Sequence, residues 1–183
     1  MSQVHIYVAT GFEEVELITV ADILRRSEIP TQLISLNEQL NVVGAHAISI
    51  CADLPFSAAS DQPELIILPG GGPGTQAMLQ HHPLHQRLIS QIDAGKRLAA
   101  ICAAPMVLAQ IGLLANKNAC CFPGCEAQLL AGQAQITAFN VVTDGLITTS
   151  RGPATAALFA LELVRQLKDD ATAQQVGKAM LYL

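Results

Sequence analysis

A chain of 183 residues that is 51% hydrophobic and only 14% charged holds enough apolar material for one domain with a sizeable core, expected to run over residues 1–183. Its net charge of −5, with no basic stripe, excludes a phosphate-reading surface and so speaks against nucleic-acid partners. No uncharged apolar run reaches the roughly 18 residues of a membrane span, and Glu13 and Glu14 interrupt the first apolar stretch; a cytoplasmic protein with no membrane contact is expected.

In chain order, residues 4–9 read as a strand and residues 13–26 as a helix, joined by Gly11-Phe12-Glu13-Glu14-Val15-Glu16. A second strand follows at 31–36. Short pieces at 41–43 and 46–50, separated by Gly44-Ala45, predict a small hairpin excursion. The aliphatic run Leu65–Leu68 is a third strand and leads into Pro69-Gly70-Gly71-Gly72-Pro73-Gly74. A helix at 83–94, a strand at 98–101 and a helix at 103–111 come next. The irregular stretch 116–139 suggests a strand at Cys120-Cys121-Phe122 and a short helix at 126–130. A last strand at 146–150 opens through Ser150-Arg151-Gly152-Pro153 into helices at 153–167 and 171–181. Strands alternating with helices predict a mainly parallel sheet with helices on both faces.

Cys102 stands where a buried strand turns into a helix, in Ile101-Cys102-Ala103-Ala104-Pro105. Open α/β sheets bind ligands just beyond the carboxyl ends of their strands, and unpaired N–H groups there favour a thiolate or oxyanion. Taken by residue type alone, the same cysteine reads equally as packing. The glycine run at 70–74 is an anion nest or ordinary turn punctuation, and it lacks the Lys-Ser/Thr ending of a P-loop. Glu13 and Glu14 suit a solvated helix N-terminus, whereas Glu16, among Leu17, Ile18 and Val20, is expected to be partly buried with a raised pKa. Protonated, Glu16 would donate to a thiolate; ionised, it would repel one. Neither His5 nor His46 lies beside Cys102. His81, His82 and His85 read as solvated surface, so a Cys-His-Asp triad has no candidate. Five cysteines are an odd count for a disulfide framework, and Cys120, Cys121 and Cys125 read as structural rather than as a metal site. Arg151 could anchor structure or bind an anion.

Five of these segments, in order, resemble the ThiJ/PfpI superfamily, in the branch that holds the parkinsonism-associated protein deglycase and the YajL-like proteins. They are Gly11 to Glu16, Asp22-Ile23-Leu24-Arg25-Arg26, Leu68-Pro69-Gly70-Gly71, Ala99 to Pro105 and Thr149-Ser150-Arg151-Gly152-Pro153. The resemblance implies a flavodoxin-like three-layer α/β sandwich, usually a homodimer, with no cofactor and no metal. It implies that Cys102 is nucleophile and oxidation site, that Glu16 hydrogen-bonds its sulfur, and that the N–H groups of Gly71 and Ala103 form an oxyanion pocket shaped by Gly70. Glu13, Arg26 and Arg151 are candidates for support. Two departures matter: Phe122-Pro123 stands where the deglycase has His-Pro, and Ala103 stands where peptidase members have histidine, which argues against a protease. Cys51 matches a dimer-interface cysteine, and His46 falls where relatives place an arginine near the partner's site. The implied activity is of the glutathione-independent glyoxalase or deglycase type, on methylglyoxal, glyoxal or their early protein adducts. The alternative is a redox-responsive chaperone or oxidative-stress sensor working through Cys102 oxidation without turnover.

Overall fold

Runs of aliphatic residues become strands buried on both faces, as a parallel sheet between helical layers requires. The computed structural model describes residues 3–182. Its elements are β1 (Val4–Val8), α1 (Glu14–Arg26), β2 (Thr31–Ser35), β3 (Asn41–Val43), β4 (Ser49–Cys51), β5 (Leu54–Pro55), β6 (Leu65–Leu68), α2 (Gly72–Gln80) and α3 (His82–Asp93). There follow β7 (Arg97–Ile101), α4 (Pro105–Gln110), β8 (Asn118–Ala119), α5 (Glu126–Ala131), β9 (Gln135–Ile136), β10 (Val141–Asp144), β11 (Ile147–Ser150), α6 (Ala156–Leu167) and α7 (Asp170–Ala179).

The main sheet runs in the order β10-β11-β7-β6-β1-β2-β5, parallel except where β10 pairs antiparallel with β11. Strand order reverses between β1 and β6: from β1 the sheet first grows towards β2 and β5, then on the other side through β6, β7 and β11. Such a switch opens a crevice at the strands' carboxyl ends. Helix α1 packs on α6, which carries α7, while α2 packs on α4 and α4 on α5. One continuous core joins the layers, with Tyr7, Phe12, Leu17, Leu68, Ile101 and Phe159 all fully buried. The fold is the flavodoxin-like sandwich with helices around a mainly parallel sheet, as expected.

The structure departs from the sequence expectations at several elements. The strand expected at Cys120-Cys121-Phe122 lies earlier, as β8, paired with β9 in a separate two-stranded ribbon. Cys120 instead donates its N–H to Thr149 Oγ1 at 3.0 Å, so a side chain of β11 ends the strand. Helix α2 forms over the glycine-rich stretch although two glycines and a proline disfavour it; the proline sits in its first turn, where no N–H is needed. The antiparallel edge strand β10 was not expected, yet Asp144-Gly145 is a hairpin turn signal and Gly145 has φ 62°. The helix expected at 153–167 begins as a 3₁₀ turn, Pro153–Thr155, before α6.

Candidate active site

Three strand ends meet at the crevice. After β1, the chain turns through Gly11 and Phe12 into α1, which Glu13 caps by accepting Glu16 N–H on Oε2 at 2.8 Å. After β6, Gly70 and Gly71 lead into α2. The two turns are stitched together: Glu13 N–H donates to Gly70 O at 3.0 Å and Gly74 N–H to Gly11 O at 3.1 Å. Gly71 has φ 97°, and a Cβ there would run into the backbone of Gly11, Phe12 and Glu13. Only glycine meets both demands.

After β7 comes Cys102. Its N–H donates to Ser150 O at 2.9 Å and its carbonyl accepts Phe122 N–H at 2.8 Å, so the ends of β7 and β11 and the loop at Phe122 grip the residue from both sides. It is held at φ 65°, a left-handed conformation that costs a non-glycine residue about 1–2 kcal/mol. The residue is 8% exposed. Helix α4 starts only at Pro105, and the backbone N–H groups that favour a thiolate here are those of Gly71 and Ala103.

Glu16 is fully buried. Its Oε2 accepts Gly70 N–H at 2.8 Å, and Oε1 has no hydrogen-bond partner among the described residues. Burial pushes its carboxyl up to about 7 against the opposing pulls of the Gly70 N–H and the Cys102 thiol, although among the described residues no hydrogen bond joins carboxyl and sulfur. Gly70 is wedged against both groups: a Cβ there would lie 2.6 Å from Cys102 Cβ and 2.7 Å from Glu16 Oε2. Burial, followed by the charge of Glu16, pushes the Cys102 thiol up to about 12, while the Gly71 and Ala103 N–H groups draw it down. Two negative charges in one buried site oppose each other, so the pair titrates as a unit and a Cys102 thiolate requires a protonated Glu16.

The remaining candidates fall in different places. Arg151 follows β11 and is half-buried, lining a cavity of about 360 Å³ with Phe122, Asn140 and Gly152 and a second of about 350 Å³ with Cys121 and Glu126. Arg26 is not brought to the site: it pairs with Asp22 at 2.8 Å on the exposed far end of α1. Glu14 is not solvated surface, as the sequence suggested, but buried. The β3–β4 hairpin folds over the start of α1, with Gly11 N–H donating to Val43 O and Ala45 N–H to Phe12 O, and it brings His46 onto Glu14. His46 N–H donates to Glu14 Oε1 at 2.6 Å and Nδ1 lies 2.7 Å from Oε2. Burial alone would raise Glu14, but these bonds more than reverse it and hold its pKa at about 2. A Cβ at Gly44 would collide with this carboxylate. No local signal joins residues 32 apart, and only the hairpin's path brings them together.

His85 also departs from the surface expectation. It is buried against the C-terminal turn of α2, its Nε2 2.9 Å from Met78 O. His81 is half-buried, accepts Leu84 N–H at 3.0 Å to cap α3, and meets the ring of Phe56. Cys51 is exposed on β4, and all five cysteines are free thiols.

Residues 2–166 match the model of the DJ-1/PfpI family. The chain belongs to this family. It is 37% identical over 177 residues to Protein dj-1beta of Drosophila melanogaster, covering 96% of this chain and 95% of that one. The crystal structure of Drosophila melanogaster DJ-1beta matches with a TM-score of 0.93 at 36% identity, covering 99% of this chain and 98% of its own. The chain is also similar to Glutathione-independent glyoxalase DJR-1.2 of Caenorhabditis elegans, 30% identical over 85% of this chain and 83% of that one. It is 28% identical to Deglycase PH1704 of Pyrococcus horikoshii, over 87% of this chain and 96% of that one. Family and fold are therefore those that the sequence motifs resemble. No helix among the described residues is long and apolar enough to cross a membrane.

Proposed function

We propose that this chain is a cofactor-independent enzyme acting on methylglyoxal, glyoxal or their early protein adducts, with Cys102 as nucleophile and Glu16 as general acid and base. One observation carries the reading: at the switch-point crevice, a cysteine held at φ 65° meets a fully buried carboxyl whose pKa is raised to about 7. A base poised near neutral pH beside a thiol is the arrangement nucleophilic catalysis requires. The names of the glyoxalase and deglycase relatives point to the same chemistry.

In this reading Glu16 takes the thiol proton as Cys102 Sγ bonds to the aldehyde carbon of methylglyoxal. The oxygen that gains charge is held by the N–H groups of Gly71 and Ala103 and takes the thiol proton back from Glu16, which gives a hemithioacetal and leaves Glu16 ionised again. Glu16 then removes the hydrogen on the former aldehyde carbon and returns it to the neighbouring carbonyl carbon through an enediol, while the hydroxyl proton of the hemithioacetal ends on the former ketone oxygen. The aldehyde carbon is thereby oxidised and the ketone carbon reduced, with no external electron acceptor. The product is a lactoyl thioester on Cys102, and water cleaves it to lactate and the free thiol. Five free cysteines suit a reducing compartment such as the cytoplasm. Val15 and Ile18 on α1 and Leu158 on α6 are exposed and apolar on two helices that pack together, which supports a second copy of the chain as partner.

Lactate formation from methylglyoxal without glutathione is the direct test. Cys102→Ser, which keeps the size of the side chain, is expected to abolish steady-state turnover. Equal rates in both proteins would overturn the reading.

A further inference from the structure

We propose that Arg151 makes this site selective for dicarbonyl adducts whose carrier bears a carboxylate, which its guanidinium binds in the cavity beside Gly152. The identity of the reacting group rests on the dicarbonyl reading above. The anion site rests on separate observations.

The cavity of about 360 Å³ is walled by Phe122, Pro123 and Pro153, and Arg151 is the only charged side chain lining it. The cavity is open to solvent, and its volume is that of a small-molecule site, more than a three-carbon dicarbonyl would fill. Among the described residues, nothing pairs with the guanidinium; Glu126 faces it only from the second cavity, on its other side, without an ion pair. The backbone of Arg151 is fixed, its N–H donating to Asn140 O at 3.3 Å directly after β11. Asn140 lines the same cavity.

The cavity lies next to the reacting pair, although neither Cys102 nor Glu16 is among its lining residues. Phe122 forms part of its wall and donates its N–H to Cys102 O at 2.8 Å. Gly152 forms another part; a Cβ there would stand 3.1 Å from the Phe122 ring and 3.9 Å from Glu16 Oε1, the unpartnered atom of the buried carboxyl. A ligand reacting at Cys102 and extending past Gly152 thus runs along apolar walls to a free guanidinium, whose planar fork matches a carboxylate. Free methylglyoxal has no group to place there. The hemithioacetal of an N-acylated cysteine has one.

With such an adduct, the carbon–sulfur bond to the carrier breaks and the carbon–sulfur bond to Cys102 forms. The carrier leaves as a thiol bearing the proton from Cys102, and no electrons are exchanged with a third party.

A matched pair of substrates isolates the charge: the methylglyoxal hemithioacetals of N-acetylcysteine and of N-acetylcysteine amide, assayed at low ionic strength. The carboxylate form is expected to react with a kcat/KM at least about tenfold higher, the range of one charge-assisted contact. Arg151→Gln is expected to bring the ratio near one, and Arg151→Lys to keep part of it. A ratio near one in the wild type, or an undiminished ratio in Arg151→Gln, would overturn the proposal. If neither adduct is turned over, the dicarbonyl reading fails by itself, and the anion site is then read by NMR titration with N-acetyl-S-methylcysteine and its amide. Tighter binding of the acid, lost in Arg151→Gln, upholds the site; equal binding of acid and amide removes it.

Discussion

Among the buried thiols, a raised pKa does not single out Cys102. Burial, with the charge of Glu126 next, pushes Cys121 up to about 12 as well, and burial raises Cys120. The difference lies in geometry: Cys102 alone of these is held at positive φ at a strand end, packed with the fully buried Glu16 carboxyl against Gly70. That arrangement fixes a pH dependence. Below the Glu16 pKa of about 7 the pair carries two protons and lacks its base; above it, the pair carries one, as the attacking form requires. In wild type, kcat/KM for methylglyoxal is expected to rise with pH through about 7 and then level. Glu16→Gln keeps the size of the side chain but removes the base, and should lose that rise together with about 10²–10⁴ of the rate. Superimposable pH–rate profiles for the two proteins would rule out Glu16 as the base.

At the scale of elements, the apolar outer faces of α1 and α6 argue for assembly. Val15 is 53% exposed, Ile18 47% and Leu158 45%, on neighbouring helices whose other faces fill the core. A closed two-fold contact would cover them, and it would lie close to the site, since Glu13, Glu14 and Glu16 begin α1. Sedimentation equilibrium is expected to give twice the chain mass of 19.3 kDa for the wild type and 19.3 kDa for Ile18→Glu. A wild-type monomer at micromolar concentration would exclude the dimer. The same elements show where the sequence was legible. The strands β1, β2, β6, β7 and β11 could be read because short apolar or β-branched runs, bounded by turn signals and alternating with helical patterns, have few other solutions. Cys102, Glu16 and the Gly70-Gly71 turn could be read as a candidate site because each follows one of those strands, and the structure brings them together. The Glu14–His46 pair, buried His85 and helix α2 could not. They depend on the hairpin's path over α1 and on the stitching of α2 to Gly11, contacts that leave no local pattern.

For the molecule as a whole, buried ionisable groups pull stability in opposite directions as pH changes. His5 is fully buried in β1, edge-on to Tyr7, and burial and then the Arg87 charge lower its pKa to about 4. The unfolded chain binds this proton near pH 6.5 and the native state does not, so stability is lost as pH falls from 6.5 towards 4. Glu14, held at about 2, loses its contribution at still lower pH. Glu16 acts oppositely: its folded pKa lies above the unfolded value, so its contribution is complete below about 4.5 and is lost as pH rises through about 7. Between pH 6.5 and 4.5 the two slopes largely cancel in the wild type. Removing one exposes the other. Urea unfolding of Glu16→Gln is expected to show stability falling on acidification from pH 6.5, by up to about 1.4 kcal/mol per pH unit for a single proton. His5→Gln is expected to show stability rising over pH 6.5 to 4.5. Parallel curves for wild type and both variants would mean that neither group titrates differently in the folded state, and the base assigned to the site would lose its physical ground.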